Sequence, residues 1–480
     1  MTARAQIRRP SRVAIWLCLP LLAAGLSVFD PWISSLVSID FWHSFGLVGW
    51  PYRSVTITVA ISITLLLALR LFLAADSFAT LSVTLIFVAS QLNGLGAGPA
   101  DLFDVTLFGI FFAWIVRNGM NLQRTVRLSS LFYFASGLTL LALAYLPAMS
   151  PVTWFVGMFG IIRITVVAFL LVDLCRDERS LELALRVLVA TATISAIIGI
   201  IQFTLAYFGI FYFTLIEPAA SAFKPTPVGY VMRASGLCRT AQHYSSFLVY
   251  ALPFALWRAS KTRAIKDAAI CVTLLAGVAV SLNFGGLFAG LFVIILMPFL
   301  RWRSHTIHIA LGLLALISIA YFTGILDLVY DLTFGDSGVS KGVDQRKTLF
   351  ILGLEQFGRS PLIGTGIRGF GNVDGNFWDR PVHNVFGQAA VELGLPGFLI
   401  FVAIFFYLSL DLGCLFAKGG TGAKYAGIYL AMLVAALLIS QAEPNLDQSN
   451  LWVVFAISQA AILILRGSRA TPKGSTRPLP

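Results

Sequence analysis

Apolar segments close to 20 residues long recur along the chain, and this pattern constrains its fold more than any other feature. A helix of about 20 residues spans the roughly 30 Å hydrocarbon core of a bilayer. Of the 480 residues, 58% are hydrophobic and only 12% are charged, and the latter is about half the charged share of a soluble protein. We therefore predict an all-α polytopic membrane protein in which residues 1–480 form a single integral membrane domain.

The apolar segments predict about 14 transmembrane helices, with a range of about 12 to 14. The residues at the predicted centres of these helices are Leu21, Leu65, Ile86, Phe111, Thr139, Arg163, Ser195, Val249, Leu274, Phe292, Leu314, Phe405, Leu433 and Ile457.

The basic residues predict the orientation of these helices, because Lys and Arg are enriched in cytoplasmic segments. With the N-terminal segment MTARAQIRRPSR placed in the cytoplasm, most of the 34 basic residues fall on that side. Both termini are then cytoplasmic, and residues 467–480 are predicted to be a disordered cytoplasmic tail. The net charge of +12 follows from this topology, so a nucleic-acid partner is not required to explain it.

Two predicted loops on the periplasmic side, 207–243 and 325–395, are long enough to contain a site. Residues 364–369 in the larger loop read GTGIRG, which fits the G-x-G-x-x-G pattern of dinucleotide-binding proteins. That motif binds a dinucleotide when it follows a β-strand and opens a helix. Here a helical segment precedes it in an extracytoplasmic loop, so we interpret the match as accidental.

The larger loop is predicted to contain two short helices. The segment QRKTLFILGLEQFG (345–358) has apolar residues at helical spacing and ends at Gly358, which predicts an amphipathic helix lying in the membrane interface. The segment RPVHNVFGQAAVELG (380–394) predicts a second helix with Pro381 in its first turn and Gly394 at its end. His383 then lies in a first helical turn, where the positive end of the helix dipole disfavours a second proton on the imidazole.

A neutral imidazole at His383 is suited to act as a general base, and the alternative is a histidine that packs against lipid headgroups. Arg233 and Arg346 lie in the two long loops, and the guanidinium group matches the geometry of phosphate oxygens. The two arginines therefore either hold a pyrophosphate or contact lipid headgroups.

Arg163 falls near the middle of a predicted span, where a charge costs about 2.5–3.5 kcal/mol. It marks either a structural ion pair or a functional crevice. Glu443 and Asp447 lie in a short outer loop, EPNLDQSN, and are either partners of the arginines or solvated.

Two sequence blocks resemble the signature of the O-antigen ligase and O-antigen polymerase superfamily. In DQRKTLFILGLEQFGRSPLIGTGIRGFG (344–371) an arginine-led amphipathic helix precedes PLxGxGxxxF, and in PVHNVFGQAAVELGLPGFLIF (381–401) an HN pair precedes ELGxxG. Upstream, RASGLCRTAQHYSSFLVYALPF resembles the arginine-bearing outer-loop motif of the family, so the resemblance covers residues 233–400. The sequence departs from the pattern at His243, where asparagine is usual, and at 281–286, where SLNFGG replaces an expected SRG.

This resemblance implies a GT-C-like fold with a long periplasmic loop, and a glycosyltransferase of the bacterial inner membrane whose active site faces the periplasm. The implied donor is a polyprenyl-pyrophosphate-linked oligosaccharide. The acceptor is another glycan for a polymerase or lipid A core for a ligase, and a chain-length regulator is a further implied partner. The number of predicted spans slightly favours a polymerase.

Carried over to this sequence, the resemblance implies that Arg233 and Arg346 hold the pyrophosphate and that His383 takes the proton of the acceptor hydroxyl. The transfer inverts the anomeric configuration and uses no metal or other cofactor. Four further residues are predicted to bind substrate: Arg163, Asn384 through a sugar hydroxyl, and Gly364 and Gly366 through their backbone N–H groups.

A different class of function, a lipid-linked glycan flippase or another secondary transporter, is the alternative. Such carriers are commonly built from related halves with broken helices and polar residues near the midplane. The sequence shows no such halves, and its outward polar residues gather in one unrepeated loop.

Overall fold

The computed structural model describes most of the chain from residue 78 onward. The described residues are 78–91, 102–119, 128–143, 151–208, 223–226, 229–238, 240–301, 339–377, 380–419, 421–443, 446 and 448–470.

These residues are almost entirely helical. The helices, in chain order, are α1 (Phe78–Gln91), α2 (Leu102–Gly119), α3 (Ser130–Leu143), α4 (Pro151–Leu174), α5 (Glu178–Tyr207), α6 (Ala241–Thr262), α7 (Ile265–Val280), α8 (Phe284–Arg301), α9 (Val339–Arg359), α10 (Val385–Ala417), α11 (Thr421–Ala442) and α12 (Ser449–Ala470). A short antiparallel hairpin, β1 (Phe223–Thr226) and β2 (Gly229–Met232), lies between α5 and α6. The all-α prediction is therefore confirmed for the described residues except at this hairpin, which the sequence analysis did not foresee.

Five of the described helices, namely α4, α5, α10, α11 and α12, are long and apolar enough to cross a membrane. The chain is thus a multi-pass membrane protein. The predicted span centres from Ile86 to Phe292 and from Phe405 to Ile457 all lie within helices. Leu21, Leu65 and Leu314 lie outside the described residues, so the total of about 14 spans stays a prediction.

Helix α12 is enclosed by other helices over most of its length. All of its residues from 449 to 462 are buried, and it packs against α4, α10 and α11. Its Phe455 ring stands perpendicular to that of Phe405 on α10, with 4.8 Å between ring centroids. Since lipid offers no hydrophobic gain for helix association, such close packing and aromatic contact are what hold these helices together.

The predicted amphipathic helix 345–358 is present as α9, which begins earlier, at Val339, and ends at Arg359. Its inward face contributes Leu349 to a small apolar cluster with Phe370, Val382 and Val391. We call these four residues the loop cluster. It attaches α9 to the beginning of α10, and so fixes residues 339–377, part of the predicted periplasmic loop, on the helical bundle.

Helix α10 is broken at Gly394, where φ is 69° and ψ is −171°, a combination essentially restricted to glycine. A Cβ atom there would lie 2.5 Å from the carbonyl carbon of Leu362. The following residue, Leu395, donates its N–H to the carbonyl of Pro361 at 2.7 Å. Gly394, the predicted helix end, is thus the point at which α10 changes direction and contacts the segment that leads into the glycine-rich residues.

Two predicted boundaries are wrong. Helix α10 begins at Val385 with Asn384 as its N-cap, so Pro381 and His383 precede the helix instead of lying in its first turn. Helix α12 continues to Ala470, so residues 467–470 of the predicted disordered tail are helical. Residues 471–480 lie outside the described part of the chain.

Candidate active site

Arg233 directly follows strand β2, and helix α5 holds the turn after it. The side-chain amide of Gln202 donates to the carbonyl of Gly236 at 2.9 Å and accepts the N–H of the same residue at 2.8 Å. Ser195 accepts the N–H of Leu237 at 3.2 Å. Gly236 has a positive φ of 57°, and a Cβ atom at this position would lie 2.5 Å from the ring of Tyr244. This turn requires glycine, and it fixes the backbone that follows Arg233.

Arg233 is also anchored on the turn between α7 and α8. Its side chain is 9% exposed, and its Nε donates to the carbonyl oxygen of Ser281 at 3.0 Å. The adjacent N–H of Ala234 donates to the carbonyl of Val280 at 3.0 Å. The terminal guanidinium nitrogens thus extend from a side chain whose Nε is already fixed.

The same turn binds a buried carboxylate. Asn283, two residues after Ser281, donates through Nδ2 to Oε1 of Glu443 at 2.7 Å and to the hydroxyl of Ser245 at 2.6 Å. Glu443 is 3% exposed, and burial raises its pKa to about 7, against the opposing effects of Asn283, Arg233 and Arg346. Residues 281–283 therefore hold a cation and an acid on the same turn.

Arg346 lies on the exposed side of α9, one turn before Leu349 of the loop cluster. Val382, in the same cluster, immediately precedes His383. The apolar contact between α9 and the start of α10 thus brings the guanidinium of Arg346 into the neighbourhood of the imidazole of His383.

His383 is half-buried, and its pKa is lowered to about 4 by burial, with further contributions from the positive charges of Arg346 and Arg380. The imidazole is consequently neutral near pH 7. A neutral imidazole was predicted from the helix dipole, but His383 precedes the N-cap of α10 and the main cause is burial.

Arg346 links the parts of the site electrostatically. Its charge lowers the pKa of His383, lowers the pKa of the already desolvated Arg233, and favours the ionised form of Glu443. The predicted base and the two predicted pyrophosphate-binding arginines therefore lie within one electrostatic neighbourhood, joined by an acid. This arrangement can bind an anion and accept a proton.

Asn384 occupies a structural position. Its Oδ1 accepts the N–H groups of Phe386 and Gly387 at 2.9 and 3.0 Å as the N-cap of α10, and its Nδ2 donates to Oε1 of Gln441 at 2.8 Å. Contact with a sugar hydroxyl, which we predicted, would have to compete with these bonds.

Gly364 and Gly366 use their N–H groups within the protein. They donate to the carbonyls of Ser360 and Glu392, both at 2.9 Å, and a Cβ on Gly364 would lie 2.6 Å from the carbonyl oxygen of Val391. In this arrangement neither N–H is available to a phosphate, because the glycine-rich segment packs against the end of the first part of α10. Helix α9 precedes the segment, in keeping with our rejection of a dinucleotide site.

Arg163 lies on α4, and its guanidinium is 3.3 Å from the carboxylate of Asp104 on α2. The structural ion pair, one of our two alternatives for this residue, is therefore present. A direct role of Arg163 in substrate binding stays a prediction.

Asn283 and Ser281 were not among the predicted site residues, and Glu443 was predicted either to pair with the arginines or to be solvated. A signal was available for the first two, because SLNFGG at 281–286 was recognised as a departure from the expected motif. The departure coincides with the turn that holds Arg233 and Glu443.

Together, the apolar helices define a multi-pass membrane protein, and arginines, an imidazole and a carboxylate come together in one polar part of it. Residues 268–402 match the family described as O-antigen ligase. The resemblance to the O-antigen ligase and polymerase superfamily is thus confirmed, and it indicates a membrane glycan-processing function and a glycosyl-transfer enzyme. No curated protein matches the chain. The matched region contains Arg346 and His383, whereas Arg233 and Glu443 lie on either side of it.

Proposed function

We propose that the chain is a membrane glycosyltransferase that moves a glycan from a polyprenyl diphosphate carrier to a sugar hydroxyl at the periplasmic face of the bacterial inner membrane. The observation that carries this proposal is the shared electrostatic neighbourhood of Arg346 with His383 and Arg233. A base beside two fixed cations is what an inverting displacement of a diphosphate requires.

In the proposed reaction, His383 removes the proton of the acceptor hydroxyl as its oxygen attacks the anomeric carbon of the donor. The bond between that carbon and the phosphate oxygen breaks, and the electron pair leaves with the polyprenyl diphosphate. Attack opposite the leaving group inverts the anomeric configuration. A neutral imidazole is required for the first step, and the low pKa of His383 supplies it.

Arg233 and Arg346 stabilise the negative charge that develops on the departing diphosphate. Positively charged donors already fixed where charge develops lower the barrier because they need no reorganisation. Arg233 fits this condition, since its Nε is held by Ser281 at 3.0 Å and its backbone is fixed on α7. For Arg346 it is the helix that is held in place, because Leu349 attaches α9 to the loop cluster, while the side chain of Arg346 itself is exposed.

The test is a His383→Asn variant assayed for glycan transfer in cells lacking the wild-type protein. Loss of a general base typically costs about 10²–10⁴ in rate, so we expect the lipid-linked donor to accumulate and surface polymer to disappear while the variant remains in the membrane. The control is Lys347→Ala, on the exposed side of α9 next to Arg346. Normal polymer from His383→Asn would remove the proposed base.

The same cells distinguish the possible acceptors and the transporter alternative. In cells without the protein, single repeats on lipid A core indicate a polymerase, and polymer retained on the lipid carrier indicates a ligase. Donor left on the cytoplasmic side would indicate a flippase and contradict the proposal.

A further inference from the structure

Glu443 is a buried carboxylate that the proposed reaction does not use. Its Oε1 accepts the hydrogen bond from Asn283 at 2.7 Å, whereas its Oε2 is buried and has no hydrogen-bond partner among the described residues. Ser246 also favours the ionised carboxylate, but the proton of its hydroxyl is donated to the carbonyl of Gln242 at 2.8 Å. The two carboxylate oxygens are therefore not equivalent, because Oε1 accepts a hydrogen bond and Oε2 can take a proton. A buried carboxylate with so few hydrogen bonds is costly in its ionised form.

The groups that face Glu443 come from four segments. Asn283 belongs to the turn between α7 and α8, Arg233 follows β2, Arg346 belongs to α9 and Tyr250 to α6. Only the two arginines are positively charged, so they are the groups whose charge favours the ionised carboxylate. Burial opposes them and raises the pKa of Glu443 to about 7. The ionised form is then favoured first by the hydrogen bond from Asn283, which a bound anion leaves in place, and next by the charges of the two guanidinium groups, which a bound anion would share.

A diphosphate bound by the same arginines would change this balance. Two anions that share one pair of cations disfavour each other, and the weaker acid takes a proton. We propose that Glu443 is the exchangeable counter-charge of the diphosphate site: it is ionised beside the arginines when the site is empty, and it takes up one proton from solvent when a diphosphate binds. The inference rests on the proposed function, and Glu443 acts in it as a positioning residue.

The hydrogen bonds accommodate this exchange without rearrangement. The proton adds to Oε2, which has no partner among the described residues, and Oε1 becomes the carbonyl oxygen of a carboxylic acid, which still accepts from Asn283. No other bond forms or breaks. When the lipid diphosphate leaves, the proton returns to solvent and the carboxylate again balances Arg233 and Arg346.

His383 is the other group that binding of an anion could protonate, because Arg346 lowers its pKa as well. Its pKa of about 4 is far enough from neutral that a bound anion has to raise it by about three units before it takes up a proton at pH 7.5. Glu443 begins at about 7 and therefore responds first.

The experiment measures proton uptake on binding of P1-farnesyl-P2-methyl diphosphate, a diester without a sugar whose phosphates do not titrate near neutral pH. Full-length protein in lipid nanodiscs is titrated calorimetrically at pH 7.5 in two buffers of different ionisation enthalpy. We expect the wild type to take up a proton, and its affinity to fall by up to about tenfold per pH unit between pH 7.5 and 8.5. Glu443→Gln keeps the acceptor for Asn283, and should show neither effect and bind more tightly than the wild type at pH 8.5.

Two control variants accompany this measurement. Glu355→Gln makes the same change at an exposed carboxylate of α9 and should behave as the wild type. His383→Asn should retain the proton uptake. As a measurement independent of any variant, the infrared difference spectrum of the wild type should gain the carbonyl stretch of a protonated carboxyl group on binding.

The outcomes separate this inference from the proposed function. Three results would contradict the role of Glu443 as a counter-charge: binding without proton uptake, proton uptake that persists in Glu443→Gln, or an infrared spectrum without the carboxyl band. None of these results would contradict the proposed diphosphate site. Failure of the wild type to bind the probe at all overturns both.

Discussion

Asn384 and Gln441 are joined by a hydrogen bond of 2.8 Å, from Nδ2 of the first to Oε1 of the second. His383 immediately precedes Asn384, and Glu443 follows Gln441 by two residues. This bond therefore connects the segment that carries the imidazole with the segment that carries the buried carboxylate.

The Asn384→Asp variant tests the hydrogen bond to Gln441 separately from the role of Asn384 as the N-cap of α10. Aspartate keeps the oxygen that accepts from Phe386 and Gly387 but cannot donate to Gln441. We expect a loss of stability of no more than about 0.5–1.5 kcal/mol, as for one lost hydrogen bond, and a lowered rate of glycan transfer. Asn384→Ala also removes the cap and should cost about 1 kcal/mol of stability. Full activity of the aspartate variant would show that the connection is not required.

The acid limb of the pH profile of glycan transfer should lie near pH 4. The folded-state pKa of His383 is lowered from 6.5 to about 4, so the neutral base is present above that value and is lost only as pH falls through it. The profile of kcat/KM reports the free enzyme and should show no loss between pH 7 and 5.5 attributable to this group. The same limb should persist in Glu443→Gln, and a loss centred near 6.5 in that variant would contradict the prediction.

Arg346→Lys should impair transfer although the charge is retained. An ammonium group is a point charge and cannot replace the two parallel donors of a guanidinium group on a phosphate. We expect transfer to slow by about 10²-fold, in the range seen when one transition-state donor is removed. Arg359→Lys, at the exposed end of the same helix, is the matched control. Equal activities of the two variants would make Arg346 a general anchor to lipid.

Gly394→Ala should destabilise the extramembrane segment. The backbone there is in a region restricted to glycine, which costs about 1–3 kcal/mol for other residues, and the new Cβ would lie 2.5 Å from the carbonyl carbon and oxygen of Leu362. We expect faster proteolysis of residues 339–377 and loss of transfer. Gly358→Ala is the control because no atom lies within 4 Å of its added Cβ, and similar proteolysis of both variants would refute the prediction.

Arg163 and Asp104 should behave as a structural pair. Arg163→Met removes the charge 3.3 Å from a carboxylate that is 2% exposed, and breaking a buried pair costs about 3–5 kcal/mol. The double variant Arg163→Met, Asp104→Leu should recover most of the thermal stability and the transfer activity. If stability returns without activity, Arg163 contributes to substrate binding as well.

Local structure was largely predictable because it depends on neighbouring residues. The amphipathic helix 345–358 appears as α9 from its apolar spacing, and Gly394 ends the first part of α10 as its position suggested. The exact start of α10 was not predictable, since Pro381 suits a first turn but the side chain of Asn384 supplies the cap. The hydrogen bond of Gly366 was not predictable, because its partner, the carbonyl of Glu392, lies on α10, whereas Gly364 donates to Ser360 in its own segment. Contact of these two glycines with a substrate stays a prediction.

The sequence by itself determined that the chain is a helical membrane protein, where most of its described helices lie, and which superfamily it resembles, because apolar length, periodicity and short motifs are properties of contiguous residues. Only the tertiary structure decided which polar groups meet. Asn283 and Glu443 are 160 positions apart and share a hydrogen bond, and the low pKa of His383 comes from burial and from Arg346 on helix α9. Burial and long-range contact arise from packing, and no stretch of neighbouring residues encodes them.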